Sequence, residues 1–178
     1  MRILIAPDKF KGSLGARDVA ECIATGLRNV LPDAVIDLMP VADGGEGTAE
    51  VIGQARGGEW VACDAHDALG RPIQARYVWL KGSATAVMEM SEAAGLWRIA
   101  AEERNPSKAN TAGVGEMFRN AIARGAKEII VGLGGSATND GGFGMARVLG
   151  YRFYDSENVE LEDGPVELVR ATKIRRAD

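Results

Sequence analysis

Apolar and polar positions in the first third of the chain predict strands and helices in turn. Residues 2–6 form a short apolar run ended by a proline, which is typical of a buried strand. Apolar positions three and four apart then predict a helix that ends at Leu31, with Ser13 as its cap. A second strand over 35–41 and a shorter helix to about Ala55 follow. This order indicates a parallel sheet covered by helices.

The pattern changes after the second helix. Runs of alternating or β-branched residues predict consecutive strands over 60–65, 73–80 and 85–90, joined by short turns. Three strands with no helix between them favour an antiparallel arrangement. We therefore predict a first unit over residues 1–66 and part of a second, different α/β unit over residues 67–178.

The remainder of the chain returns to helices and strands in alternation. Apolar spacing predicts a helix over 111–124, a buried strand over 128–131, a short helix over 145–149 and a strand over 151–154. The basic residues of 170–178 predict a solvent-exposed helix face. The fold class is therefore α/β.

Composition narrows the classes of function. The chain has 21 Lys and Arg against 25 Asp and Glu, a net charge of −4, which disfavours nucleic acid and anionic membranes as partners. It has no apolar run long enough to span a membrane and no signal peptide, so we expect a soluble, cytoplasmic protein. Two cysteines and one histidine make neither a disulfide framework nor a site that needs several histidines. Glycine, at 23 of 178 residues, is about twice as frequent as in an average protein.

Many of these glycines fall into two clusters, each between a predicted strand and a predicted helix. The first runs from Asp43 to Thr48 and the second from Gly132 to Gly144. Ligands bind at this edge of an open α/β sheet. Glycine turns let backbone N–H groups converge on an anion, and a helix N-terminus adds positive charge, so phosphate is the expected ligand.

Carboxylates within the clusters add to this chemistry. Asp43 and Glu46 lie in the first cluster and Asp140 in the second. A carboxylate beside a phosphate fits a site that also holds Mg²⁺ or orients a substrate hydroxyl, which is the arrangement of phosphoryl transfer. Lys9 and Lys11, in the turn after the first strand, can neutralise the charge that develops.

Other interpretations stay open. The run from Gly132 to Ala137 fits G-x-G-x-x-A, and Asp155 ends the next strand, as in a dinucleotide-dependent oxidoreductase. The Asn and Gly of 138–142 form helices poorly and weaken that match. A binding module without catalysis is a further alternative, because glycine pairs also serve close packing and aspartates also cap helices. A metal site near Cys63 and His66 is weaker, since strand alternation places them on opposite faces. No G-x-x-x-x-G-K-[ST] motif is found, which excludes a P-loop ATPase.

Five blocks of the sequence together resemble the bacterial glycerate kinase family. They are APDKFKGSL at 6–14, VADGGEGT at 41–48, MEMSEAAGL at 88–96, TAGVGE at 111–116 and GGSATNDGG at 134–142. The resemblance implies transfer of the γ-phosphate of ATP to a hydroxyl of D-glycerate with Mg²⁺, giving 2- or 3-phosphoglycerate. It also implies two α/β domains around a cleft, the first of them Rossmann- or flavodoxin-like.

The resemblance carries an expectation about length as well. Members of that family are about twice as long, so the chain is expected to correspond to their N-terminal half. Apolar surface that the other half would cover then predicts self-association or a homo-oligomer.

The site residues follow from the blocks and from residue chemistry. We predict Asp43, Asp140 and Lys11 as catalytic, with the two aspartates also linked to Mg²⁺. Further positions shared with the family are expected to bind substrate or phosphate: Asp8, Ser13, Gly44, Gly45, Glu46, Gly47, Thr48, Glu89, Gly134, Gly135, Ser136, Thr138, Asn139, Gly141 and Gly142.

Overall fold

A computed structural model describes residues 1–176 and places the strands in three small sheets. In the first sheet, β1 (Arg2–Ile5) pairs in parallel with β2 (Val35–Leu38), and α1 (Ala16–Val30) connects them. One face of this sheet packs on α1, where Ile5 meets Ala20 and Ala24. The expected α/β class and the parallel β-α-β start are confirmed.

The second sheet has four strands in the order β3, β4, β5, β6. Their bounds are β3 Glu59–His66, β4 Pro72–Leu80, β5 Thr85–Glu89 and β6 Glu128–Gly132. The first three strands are antiparallel, as the sequence predicts, and β6 adds parallel to β5. The sheet is therefore mixed, with its middle strands built from adjacent segments of the chain.

Helices cover both faces of this sheet because its central strands are apolar on both sides. Val78 and Leu80 of β4 pack on α2 (Thr48–Arg56). The alternate residues, Tyr77 among them, face α4 (Ala112–Ala123) and the short α3 (Ser91–Ala94), where the main core of the molecule lies. Period-two alternation thus supplies two cores from one strand.

The third sheet pairs β7 (Tyr151–Tyr154) with β8 (Lys173–Arg176), antiparallel. The expected short helix is α5 (Phe143–Val148), whose Phe143 packs edge-on against Phe153 at 4.5 Å between ring centroids. The exposed helix face predicted over 170–178 is wrong at residues 173–176, which form the exposed strand β8 instead. Residues 177 and 178 of that prediction lie outside the described residues.

Two boundaries differ from those predicted. The second strand ends at Leu38 rather than residue 41, because the next N–H that the β1 side would donate belongs to Pro7, which has none. Met39 and Val41 still donate their N–H groups to Ile5 O at 2.8 Å and to Pro7 O at 3.0 Å. Helix α1 begins at Ala16 with no side-chain cap, so Ser13 does not cap it. Ser13 lies instead in a tight turn, donating its backbone N–H to Phe10 O at 2.9 Å.

The predicted division of the chain at residue 66 stays a prediction. His66 ends β3, which pairs with β4 along its full length, and α2 packs on β4 and β5.

None of the helices within residues 1–176 is long and apolar enough to cross a membrane.

Candidate functional site

The two glycine clusters meet in the folded chain. Gly134 donates its backbone N–H to Gly44 O at 2.9 Å. A Cβ at Gly134 would lie 2.6 Å from Gly45 Cα, and a Cβ at Gly132 would lie 2.5 Å from Gly44 O. Both distances are shorter than real Cβ contacts, so the backbones come this close only because these residues are glycine. We call this contact, between residues 43–47 and 132–135, the glycine junction.

The N-terminus of α2 opens beside the glycine junction. Gly47 precedes the helix with φ +91°, a left-handed conformation that favours glycine. Because glycine has no side chain, this N-cap residue cannot itself cap the helix. The cap comes from β5, where Glu89 Oε1 accepts the Ala49 N–H at 2.8 Å. Burial raises the pKa of Glu89 while that hydrogen bond opposes the rise. Glu89 is therefore a buried carboxyl group held at a helix start.

Asp43 presents an exposed carboxylate at the glycine junction. Its Oδ1 accepts the Gly45 N–H at 3.0 Å and lies 3.3 Å from Lys9 Nζ. These two partners, the Gly45 N–H first, hold the pKa of Asp43 below its ordinary value. The group is thus ionised at neutral pH, with one oxygen fixed and its side chain 58% exposed.

Lys9, rather than Lys11, is the cation that reaches this carboxylate. The Lys9 side chain is only 16% exposed, whereas Lys11 is exposed and has no ion pair within residues 1–176. The sequence placed both lysines in one turn and could not show which of them turns inward. Asp8 shapes that turn by accepting the Lys9 N–H at 2.6 Å.

Asp140 lies in a different setting from Asp43. It is 1% exposed, and its Oδ2 accepts the Thr111 N–H, the Thr111 hydroxyl and the Gly144 N–H at 2.8–3.0 Å. Its Oδ1 accepts the Gly142 N–H at 3.1 Å. Four donors therefore occupy this carboxylate, which ties the start of α5 to that of α4. This geometry argues against the predicted metal-linked or catalytic role and gives Asp140 a positioning role.

The remaining predicted residues fall into two groups. Some make contacts within the loops: Thr48 Oγ1 donates to Gly45 O at 2.7 Å, and Ser136 Oγ lies 2.8 Å from Thr138 Oγ1. The others line the surface of the second loop, with Asn139 exposed and three glycines at positive φ: Gly135, Gly141 and Gly142.

Two cavities flank the start of α2 and share Glu46, Gly47 and Glu50 as a wall. The larger, about 330 Å³, lies towards the β1–α1 turn and includes Lys9 and Ser13. The smaller, about 200 Å³, lies towards the mixed sheet, and its other lining residues are Trp60, Arg76, Glu89, Ser91, Glu92 and Trp97. Sequence reasoning missed Trp60, Arg76 and Trp97, because they come from three separate segments of the chain. The one sequence signal that could have pointed to this cavity is the position of Trp97, directly after the family-like block at 88–96.

A wider groove lies elsewhere. It measures about 830 Å³, runs between α4 and the β3–β4 hairpin, and shares no lining residue with the two cavities. His66 Nδ1 lies there, 2.9 Å from Glu116 Oε1. The structure gives no support to the alternative of a metal site at Cys63 and His66. Cys63 is buried, and burial raises the pKa of its thiol to about 11, whereas a metal binds the thiolate.

The carboxylates of this region offer Mg²⁺ few protein ligands. Within residues 1–176, no three His, Cys, Asp or Glu side chains converge as a metal cage. Mg²⁺ is commonly held by one or two carboxylates together with substrate phosphates. Asp43, exposed and ionised beside the glycine junction, fits that mode, whereas the saturated Asp140 does not.

The structure contradicts the dinucleotide-binding alternative. The loop after β6 stays irregular until Phe143, so the glycines of 132–137 do not lead directly into a helix as a dinucleotide-binding turn does. Asp155 is bound by Arg170 at 2.9 Å and by the Val159 N–H at 2.9 Å. Its strand β7 lies in a separate sheet from β6.

Comparison with known proteins gives one consistent family. The model of the Glycerate kinase family matches residues 3–178. A "Glycerate kinase" of Bacillus subtilis is 43% identical over 164 residues, which are 92% of this chain and 43% of that protein. A "Glycerate 2-kinase" of Escherichia coli is 43% identical over 168 residues, again 92% and 43% of the two chains.

A solved structure agrees with these sequence matches. The crystal structure described as a glycerate kinase 2 of Salmonella typhimurium LT2 superposes with a TM-score of 0.82 at 40% identity. The match covers 98% of this chain and 46% of that one. The chain thus spans less than half the length of the relatives it matches.

Proposed function

The chain belongs to the glycerate kinase family, and on that premise we propose that it provides a phosphoryl-transfer site for ATP and D-glycerate. The observation that carries the proposal is the glycine junction with Asp43 at its edge. There the ionised, solvent-facing carboxylate of Asp43 lies beside Lys9 and beside two glycine loops whose backbones are in contact. Phosphoryl transfer depends mainly on such positioning and charge stabilisation.

The proposed roles follow from the geometry. Asp43 orients the attacking hydroxyl and accepts its proton, because its Oδ2 has no hydrogen-bond donor within residues 1–176. Lys9 and the backbone N–H groups of the glycine loops offset the negative charge that develops on the transferred phosphate. Mg²⁺, when bound with the nucleotide, would neutralise phosphate charge, with Asp43 as its protein ligand. A cytoplasmic location is part of the same proposal.

The position that receives the phosphate is also proposed. The Escherichia coli relative is named a glycerate 2-kinase, which supports the 2-hydroxyl as the acceptor. A phosphate on carbon 2 couples to one proton and gives a doublet in the ³¹P spectrum. A phosphate on carbon 3 couples to two protons and gives a triplet, so the product spectrum decides between 2- and 3-phosphoglycerate.

The test of the activity is glycerate-dependent release of ADP from Mg-ATP. Because the relatives are longer, the assay is run on this chain and on a hybrid enzyme. In the hybrid, residues 3–178 replace the matching segment of a full-length curated relative. We expect ADP release that requires D-glycerate in the hybrid. A folded hybrid that releases no ADP above the glycerate-free control, while the parent relative does, would overturn the proposed function.

A further inference from the structure

The smaller cavity beside the start of α2 has the chemistry of a site for a small hydroxy acid. We propose, resting on the function above, that it binds the acceptor D-glycerate, with Arg76 holding the carboxylate, and that the nucleotide uses the other side of the wall. This divides the two ligands between the two cavities that share Glu46 and Gly47.

Arg76 is prepared for a carboxylate. Its Nε donates to Glu92 Oε1 at 3.2 Å, and its Cζ lies 4.3 Å from the centroid of the Trp60 ring. These two contacts fix the plane of the guanidinium. The terminal nitrogens donate no hydrogen bond to any other residue among 1–176. A planar guanidinium held in this way presents two parallel N–H groups to a carboxylate.

Four carboxylate side chains, those of Glu46, Glu50, Glu89 and Glu92, line the cavity together with Arg76, so a bound acid would compete with them for the guanidinium. Glu92 is shared between Arg76 and Arg98, whose nearest nitrogens lie 3.2 and 3.5 Å from its two oxygens. Burial raises the pKa of Glu89 above its ordinary value. The start of α2 adds the positive end of a helix dipole.

The other walls suit hydroxyl groups and a small ligand. The exposed carboxylate of Glu46 is an acceptor for a substrate hydroxyl. Glu46 also lies at the glycine junction, since a Cβ on Gly135 would be 3.1 Å from Glu46 Oε1. The cavity therefore adjoins the loop of residues 43–47 through Glu46 and Gly47, although Asp43 itself does not line it. The volume of about 200 Å³ is below the range of drug-sized ligands, which suits a three-carbon acid better than a nucleotide.

Two exposed indoles report on the cavity. Trp60 is 43% exposed and Trp97 is 56% exposed, and both line it. Trp97 is fixed by its Nε1–H, which donates to Ser91 O at 3.0 Å. Binding of a small acid at Arg76 should therefore change the tryptophan emission of the chain, and Trp97→Phe should remove much of that change.

The experiment is calorimetric titration of the 178-residue chain with D-glycerate and, separately, with ADP. Arg76→Gln is compared with Arg119→Gln, a matched loss of charge at an exposed position of α4 that lines the separate groove beside the β3–β4 hairpin. We expect Arg76→Gln to raise the Kd for D-glycerate at least tenfold and to leave the Kd for ADP within twofold. Arg119→Gln should leave both within twofold. Circular dichroism checks that each variant folds, and Arg76→Lys, which keeps the charge but not the planar fork, should give an intermediate Kd for D-glycerate.

Three outcomes of the titrations would overturn the assignment of this cavity to D-glycerate. Unchanged D-glycerate affinity in Arg76→Gln, or no D-glycerate binding by the folded chain, would overturn the assignment. If Arg76→Gln lost affinity for ADP and not for D-glycerate, the cavity would be a nucleotide pocket, and the assignment to D-glycerate would be overturned as well. The proposed function fails separately: D-glycerate bound at Arg76 with no ADP release by the hybrid enzyme would support the cavity and overturn the kinase.

Discussion

At the scale of single residues, the carboxylates Asp43, Glu89 and Asp140 of the candidate site separate into two kinds. Asp140 and Glu89 are buried and hold the starts of helices, whereas Asp43 faces solvent and one of its oxygens accepts no hydrogen bond from residues 1–176. A sequence pattern cannot separate these roles, because an aspartate before a helix has the same spacing whether it caps the helix or contacts a ligand. Burial and the number of donors make the distinction.

The positioning role of Asp140 predicts a loss of stability. In Asp140→Ala, four donors lose their acceptor, including the hydroxyl and N–H of Thr111. We expect the free energy of unfolding to fall by about 3 kcal/mol in urea denaturation. Asp33→Ala, at an exposed turn, is the control and should change it by less than about 0.5 kcal/mol. Equal stability of the two variants would remove the positioning role.

Glu89 predicts a pH dependence of stability. Burial raises its pKa above the ordinary value of 4.5, so the folded state holds this proton more tightly than the unfolded chain does. Its contribution to stability is full below pH 4.5 and is lost as the pH rises through the raised pKa. In Glu89→Gln the amide oxygen can still accept the Ala49 N–H, and no charge forms. We therefore expect the unfolding free energy of the variant, relative to the parent, to increase from pH 5 to pH 8. A difference that stays constant over this range would contradict the shift.

At the scale of elements, the glycine junction fixes how the segment after β2 meets the segment after β6. Gly134→Ala would place a methyl group 2.6 Å from the Gly45 backbone, which cannot rotate away. We expect a loss of about 1–3 kcal/mol in unfolding free energy together with weaker ADP binding. Gly82→Ala is the matched control, because nothing lies within 4 Å of its Cβ position and its φ is ordinary. If Gly134→Ala behaves like Gly82→Ala in both measurements, the loops are not packed in this way.

Most elements could be predicted from the sequence because their signals are local. The apolar spacing of 111–124 and the alternation of 73–80 gave α4 and β4 nearly to the residue. The errors have physical reasons: Ser13 closes a turn instead of capping α1, and the basic 173–176 segment pairs with β7. The contact of Lys9 with Asp43, and the gathering of Trp60, Arg76 and Trp97, depend on tertiary packing that no local pattern encodes.

At the scale of the whole molecule, the first sheet is open. Two parallel strands with a helix on one face leave the other face uncovered, although parallel sheets are normally covered on both. On that face Leu4 and Val35 are each 59% exposed, and Met39 beyond β2 is 60% exposed. Both outer edges of the two-stranded sheet also lack a partner strand among residues 1–176.

This open face predicts self-association of the chain. We expect its sedimentation coefficient to rise with protein concentration, because contact between chains would bury apolar area. Leu4→Lys should suppress the rise, whereas Ile122→Lys, at a 54% exposed position on α4, should not. A chain that sediments as a monomer at every concentration would show that the face needs no cover.

We propose that Asp43 at the glycine junction serves phosphoryl transfer to D-glycerate. The most direct test is the rate of phosphoglycerate formation, followed by ³¹P NMR, in the hybrid enzyme with and without Asp43→Asn. The variant should fold normally, because Asp43 is exposed, and should lower kcat by about 10²–10⁴-fold. A kcat near that of the unsubstituted hybrid would contradict the claim and remove Asp43 from the mechanism.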